Sequence, residues 1–333
     1  MEKRTVLPLL NSAFEPGKAL ETVEQFEDKD VRNIARAEFF YFSGKAKECS
    51  EIARLYLEDE TMELRLSACM LYGYANMTLG NSAAARRGLD GIRDCMKKLR
   101  YTDASEETYA FCILAGYIGT VLLHQPADEI PDLWKYSSML PGGVKLFAVY
   151  VMAHQAYLKG EYWSAYGMCR TAMFMAENVY PISMIYIQCI MAMCMINRRH
   201  KKEAQEELMK GWVLAEKDGF LEPFIEHHGL LQGLLESCIR KEDSKLYNKL
   251  SDQVISFSRG WMAIHNPMSE NSVTDALSTV EFSIAMLASR DWNNQEIADY
   301  LGFSPNTVKT YLSRIYVKLN IKKRDELKNY MLK

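Results

Sequence analysis

Apolar residues recur every three or four positions along most of this chain. Between Ile34 and Phe42, for example, Ile34, Ala37 and Tyr41 share one face of a helix and Phe40 flanks it. No sustained alternation of apolar and polar residues appears, so the spacing predicts helices and no strands up to about residue 265. A local pattern marks where helices turn back on themselves. Gly44 is followed five positions later by Cys49, Gly80 by Ala85 and Gly160 by Ala165, and Arg199 occupies the same place before Ala204. The turn residue lets the chain reverse, and the small residue lets the second helix cross close to the first.

These hairpins resemble tetratricopeptide-type repeats, whose period is near 34 residues. The spacing is irregular, 36 residues from Gly44 to Gly80 and 80 from there to Gly160, so one hairpin between is degenerate. A hairpin cannot bury its apolar face alone, and stacked neighbours form a solenoid with a concave groove. Such a groove suits a small molecule, a peptide or a protein partner. Met184, Met191, Met193 and Met195, with Tyr150, Tyr157, Tyr162, Trp163 and Tyr166, either line it or fill the core.

The pattern changes at residues 266–276, a polar stretch containing Pro267 that reads as a linker. Beyond it, three short helices are legible from their caps. Ser278 with Glu281, and Asn293 with Glu296, have the spacing of capping boxes. The second helix spans 294–301 and stops at Gly302. Ser304 caps the third, and Pro305 sits at its first position, where no N–H is needed. In that third helix Val308, Leu312, Ile315 and Leu319 form one apolar stripe. The opposite face carries Asn306, Thr310, Ser313, Arg314 and Val317, with Lys309 at its flank and no acidic group. A helix of this kind fits a DNA major groove, where its donors and cations meet base edges and phosphates. Ile297, Ala298, Leu301, Gly302 and Val308 have the spacing of a helix-turn-helix. A fourth helix is expected over 324–332.

Residues 277–324 closely resemble the LuxR/GerE-type (NarL-like) DNA-binding domain of bacterial transcription regulators. The matching positions include Leu277, Glu281, Asn294–Ala298, Leu301–Ser304, Thr307–Thr310, Ile315, Tyr316, Lys318, Leu319 and Arg324. Val280, Asp291 and Tyr311 depart from residues usual in the family. Val280 is expected to loosen an ion pair with the first helix, and Tyr311 to alter backbone contact. The longer helical region is similar to the regulatory part of large MalT-like members, without their phosphate loop. The resemblance implies that Lys309, Thr310 and Ser313 contact bases and that Thr307 and Lys309 help fix the backbone register. It also implies a homodimer on double-stranded DNA, with Leu327, Tyr330 and Met331 as the dimer contacts.

The remaining chemistry mostly excludes. Lys and Arg total 40 against 43 Asp and Glu, a net charge of −3 that by itself argues against a nucleic-acid partner. The distribution reverses that inference. Residues 303–333 hold eight cations and two anions, net +6, leaving −9 for residues 1–302. The eight Cys form no C-x-x-C pair and lie in apolar helices, so they read as reduced core residues of a cytoplasmic protein, with no metal site. Residues 108–127 and 178–197 carry no charge, yet their Pro, Gln and Ser content reads as buried helix rather than membrane span. The N-terminus lacks a signal-peptide core. No phosphate loop, dinucleotide fingerprint or nucleophile elbow occurs, so neither an enzyme nor a bound cofactor is expected. The sequence thus describes an all-α protein in three parts. A tetratricopeptide-like regulatory solenoid (1–265), sensing an unidentified small-molecule or protein effector, is followed by a linker (266–276) and a four-helix LuxR-type domain (277–333). The alternative is an interaction adaptor whose last domain no longer binds DNA.

Overall fold

A computed structural model describes residues 4–99, 105–123, 130–265 and 277–328. Among them there is no strand. Four helical hairpins stand where the turn pattern puts them. They pair α2 (Lys29–Phe42) with α3 (Ala46–Ala53), and α4 (Met62–Thr78) with α5 (Ser82–Leu99). The others pair α7 (Gly142–Leu158) with α8 (Tyr162–Met175), and α9 (Pro181–Asn197) with α10 (Lys201–Glu216). A short α1 (Ala19–Gln25) precedes them, and α6 (Glu106–Val121) separates the second hairpin from the third. Among the described residues between α6 and α7 there are short 3-10 turns at Leu133–Lys135 and Ser137–Met139.

All four turns close in the same way. Gly44, Gly80, Gly160 and Arg199 are left-handed, at φ +70°, +69°, +79° and +63°. The next amide reaches back across the turn: Lys45 to the Phe40 carbonyl at 2.8 Å, Asn81 to Asn76 at 2.9 Å, Glu161 to Ala156 and His200 to Met195 at 3.0 Å. This bond satisfies one of the orphan carbonyls at a helix end, and a left-handed residue is what permits it. Five residues after each turn, Cys49, Ala85, Ala165 and Ala204 are completely buried. The α4–α5 crossing is closer still, since a Cβ on Gly88 would lie 2.7 Å from the Cys69 carbonyl oxygen and the Gly73 nitrogen.

The first helices of the hairpins do not line an open groove. Every residue of α9 from Pro181 to Ile196 is buried, the four methionines among them, as are Tyr150 and Tyr157 on α7. The charge-free 178–197 stretch is therefore a helix enclosed by protein, and no helix among the described residues is long and apolar enough to cross a membrane. Part of what encloses the first helices is the chain's own beginning. Residues 6–14 run between them with Val6, Leu7, Leu9, Leu10 and Phe14 buried. This segment has no regular structure, so its backbone groups need partners from elsewhere. The Leu9 and Leu10 amides donate to the two carboxylate oxygens of Glu38, both at 2.9 Å. The Leu7 amide donates to Ser67 at 3.0 Å, and the Phe14 amide to the Val179 carbonyl at 3.1 Å. Two later helices cover more of the same face. The short α11 (Glu222–His227) packs on α2 and α9, and α13 (Ser244–His265) packs on α4, with α12 (Leu234–Glu242) between them in sequence. At the α13–α4 crossing, a Cβ on Gly260 would overlap the Met77 carbonyl. The expected concave groove is thus filled, because the first helices are apolar on nearly all sides and need cover on all sides.

Among the described residues after 276 are the helices α14 (Thr279–Ser289), α15 (Asn294–Leu301) and α16 (Pro305–Lys318). The linker at 266–276 lies outside the described residues. Of the expected fourth helix, a 3-10 turn at Arg324–Leu327 is described, and the part from 329 onward lies outside.

Candidate nucleic-acid interface

The three helices begin and end on the signals read in the sequence. Ser278 accepts from the Glu281 amide at 3.3 Å while Glu281 accepts from the Ser278 amide at 2.8 Å, and Asn293 and Glu296 make the same reciprocal pair at 2.9 and 2.8 Å. Gly302 is left-handed at φ +72°, and the Phe303 amide closes the turn on Ala298 at 2.9 Å. Ser304 then caps α16 by accepting from the Thr307 amide at 3.1 Å. On α16, Val308, Leu312, Ile315 and Leu319 are buried against α14 and α15. Their burial aims the opposite face outward.

That face is open. Asn306, Lys309, Thr310, Ser313, Arg314 and Val317 are exposed and Thr307 is half-buried. The Thr307 hydroxyl shares a hydrogen bond with Ser304 at 2.8 Å, so it belongs to the cap. Thr310 donates to the Asn306 carbonyl at 3.0 Å and Ser313 to the Lys309 carbonyl at 3.1 Å. With their protons turned to the helix, both hydroxyls present lone pairs outward, as acceptors. Among the described residues neither Lys309 nor Arg314 has an ion-pair partner.

The cations of this segment divide into two sets that sequence cannot separate. Lys318 pairs with Glu281 at 2.6 Å and joins the end of α16 to the start of α14. Burial acts to raise the Glu281 carboxyl, but Lys318 and the Ser278 amide hold it below the usual carboxylate value. Arg324 donates to the carbonyls of Ala288 and Trp292 and to Asn294 Oδ1, clamping α14 to α15. Lys328 pairs with Asp291 at 3.0 Å. These three are structural. Lys309, Arg314, Lys322 and Lys323 are exposed.

The departures from the family pattern are absorbed locally. Asp291 takes a left-handed conformation at φ +63°, tolerable for Asp, and the ring of Tyr311 packs on Phe303 with centroids 5.8 Å apart. Val280 is half-buried and the ion pair of α14 is made by its neighbour Glu281. One expectation needs correction. Leu327 is completely buried in the domain's own core, packed with the 3-10 turn against α14, and so does not face a second copy. Tyr330 and Met331 lie outside the described residues.

The largest feature that sequence reasoning missed is what α14 and α15 rest on. Glu236 of α12 is fully buried, and its Oε1 accepts from His228 Nε2 at 2.8 Å, Tyr247 at 2.9 Å and Ser283 of α14 at 3.0 Å. Thr279 adds a hydroxyl contact to Ser251 at 2.7 Å. Around this polar centre Arg240 donates to the Leu301 carbonyl at 3.2 Å and covers the Phe303 ring at 4.7 Å. The Lys201 ammonium sits 4.3 Å over the Trp292 ring. The residues after 276 thus dock through α14 and α15, leaving the exposed face of α16 free. No motif in the sequence singles out Glu236 on α12 or His228 at the end of α11.

A helix capped by Ser304, placed across a glycine turn from α15 and aimed outward, defines a helix-turn-helix unit. Residues 275–331 match the family model described as bacterial regulatory proteins, luxR family, which puts a LuxR-type domain at these positions and supports a DNA-binding transcription regulator. No curated protein and no solved structure matches the chain.

Proposed function

We propose that the chain is a cytoplasmic, non-enzymatic bacterial transcription regulator. In this reading α16 enters the major groove. Lys309, Thr310 and Ser313 meet base edges, Thr307 and Lys309 also fix the backbone register, and Asn306 and Arg314 complete the DNA-facing surface. Residues 277–333 form the DNA-binding domain, and residues 1–265 form a tetratricopeptide-like unit that senses a small molecule or protein. Two copies pair with each other through Tyr330 and Met331 on double-stranded DNA, which gives half-sites about one DNA turn apart. The observation that supports this best is the free, acid-less face of α16 with unpaired Lys309 and Arg314 among the described residues. Selection of duplexes by the full-length protein tests it. Lys309→Ala should weaken binding to the selected duplex and reduce the salt slope by about one. Unchanged affinity and slope would refute DNA reading and leave the adaptor reading, in which the helical repeats bind a protein partner and the last domain no longer binds DNA.

A further inference from the structure

A cavity of about 40 Å³ lies where the initial segment, α2, α4, α6, α7, α9 and α11 converge. The residues around it include Tyr41, Phe42, Tyr74, Phe147, Tyr186 and Glu226. The rings stand edge-to-face around the space, with centroids 6.2 Å apart for Tyr41 and Tyr74, 6.3 Å for Phe42 and Tyr186, and 5.2 Å for Phe147 and Tyr186. Tyr41 donates to Glu226. The Tyr74 hydroxyl is buried with no partner.

Two carboxyls stand here without a basic partner among the described residues. Glu226 is half-buried, whereas Glu222, one turn earlier on α11, is fully buried, with Thr78 3.3 Å from Oε1 and no partner on Oε2. Among the described residues no Lys or Arg pairs with either carboxyl. The neighbouring His227 bonds Tyr150 and the Pro223 carbonyl, and burial lowers it to about 4, so it supplies no charge near neutrality. His228 is committed to Glu236. Burial pushes the Glu226 carboxyl up to about 7, the hydroxyls of Tyr41 and Tyr186 working the other way. Burial raises Glu222 as well, so without a cation these acids favour the protonated form, and a cation placed beside them would favour the ionised one. Aromatic walls with a carboxyl among them are the surroundings an organic ammonium prefers.

We propose that this cavity binds the head of a small organic ammonium ion, its charge against Glu226 and its substituents against the faces of Tyr41, Tyr74 and Tyr186. The space admits roughly three water-sized groups, which suits a primary or lightly methylated amine. The site deepens the sensor reading above and rests on it for its consequence. Two residues after Glu226 the chain reaches His228, which holds Glu236 against Ser283 of the DNA-binding domain. An occupant that moves α11 therefore acts directly on the docking contact.

The test is calorimetric titration of the full-length protein with ethylammonium chloride, against sodium chloride at equal ionic strength and against ethanol as a neutral analogue. Saturable binding of ethylammonium alone is expected, weakened at least tenfold in Glu226→Gln and several-fold in Tyr74→Phe. Tyr74→Phe removes only an unpartnered hydroxyl, so it separates lost binding from lost folding, which circular dichroism checks in both variants. Absence of saturable binding, or binding that Glu226→Gln and Tyr74→Phe leave intact, overturns the site. Duplex affinity measured with and without ethylammonium separates the two readings. A shift supports both, whereas binding that leaves duplex affinity unchanged keeps the site and overturns its role as a sensor.

Discussion

Replacing Glu236 tests how the DNA-binding domain is held. Three donors converge on one of its oxygens, two from residues before 265 and one, Ser283, from α14. Burial alone would raise its carboxyl, but the charge and hydrogen bond of His228 bring it below the usual carboxylate value. Glu236→Leu strands His228 and two hydroxyls in a dry interface. Breaking one side of a buried pair costs about 3–5 kcal/mol, a large part of the roughly 5–15 kcal/mol that holds a typical protein folded. Ser283→Ala removes one hydrogen bond to a charged acceptor, worth about 1.5–3 kcal/mol. In the double variant the serine effect should vanish, because its acceptor is gone. Urea unfolding gives the free energies, and hydrogen exchange of the α14 amides shows whether docking is the part lost. Acid supplies a further signature. A carboxyl whose folded value is depressed contributes fully above its unfolded value, and that contribution fades as pH falls through the folded one. Wild type should therefore loosen on acidification below the ordinary carboxylate range, with that limb missing in Glu236→Leu. A loss under 1 kcal/mol, or strict additivity with Ser283→Ala, would refute this account of the interface.

Two other outcomes follow from the packing. Gly88→Ala presses a methyl against the backbone of Cys69 and Gly73, so it should cost about 1–3 kcal/mol; an unchanged Tm would show that the helices separate freely. Glu38 is buried beneath the initial segment, and burial raises it to about 8 despite its two amide donors. It keeps its proton in the folded state after the unfolded chain has released it. Stability should therefore fall between about pH 5 and 8, by up to about 1.4 kcal/mol per pH unit. Glu38→Gln should flatten that slope, and equal slopes in variant and wild type would place the titration elsewhere.

The helix-turn-helix and the hairpin turns were readable because their signals are local. Ser278, Asn293, Gly302 and Ser304 act within four residues of where they stand, and so do Gly44, Gly80, Gly160 and Arg199. The exposed face of α16 was readable for a related reason, since its apolar stripe has one periodicity and one possible inside. The sorting of cations into structural and free was not, because Lys318, Arg324 and Lys328 find partners 30 to 40 positions away.

By itself, then, the sequence determined an all-helical chain, the positions of its reversals and which face of α16 is exposed. Each depends on neighbours along one helix or turn. Only the tertiary structure decided that residues 6–14 fill the space a groove would occupy, that Leu327 points inward, and that Glu236 holds the last domain in place. Only it brought Tyr41, Tyr74, Tyr186 and Glu226 around one cavity. Buried polar groups are chosen by distant partners, and no periodicity along the chain records which carboxyl is turned inward to meet them.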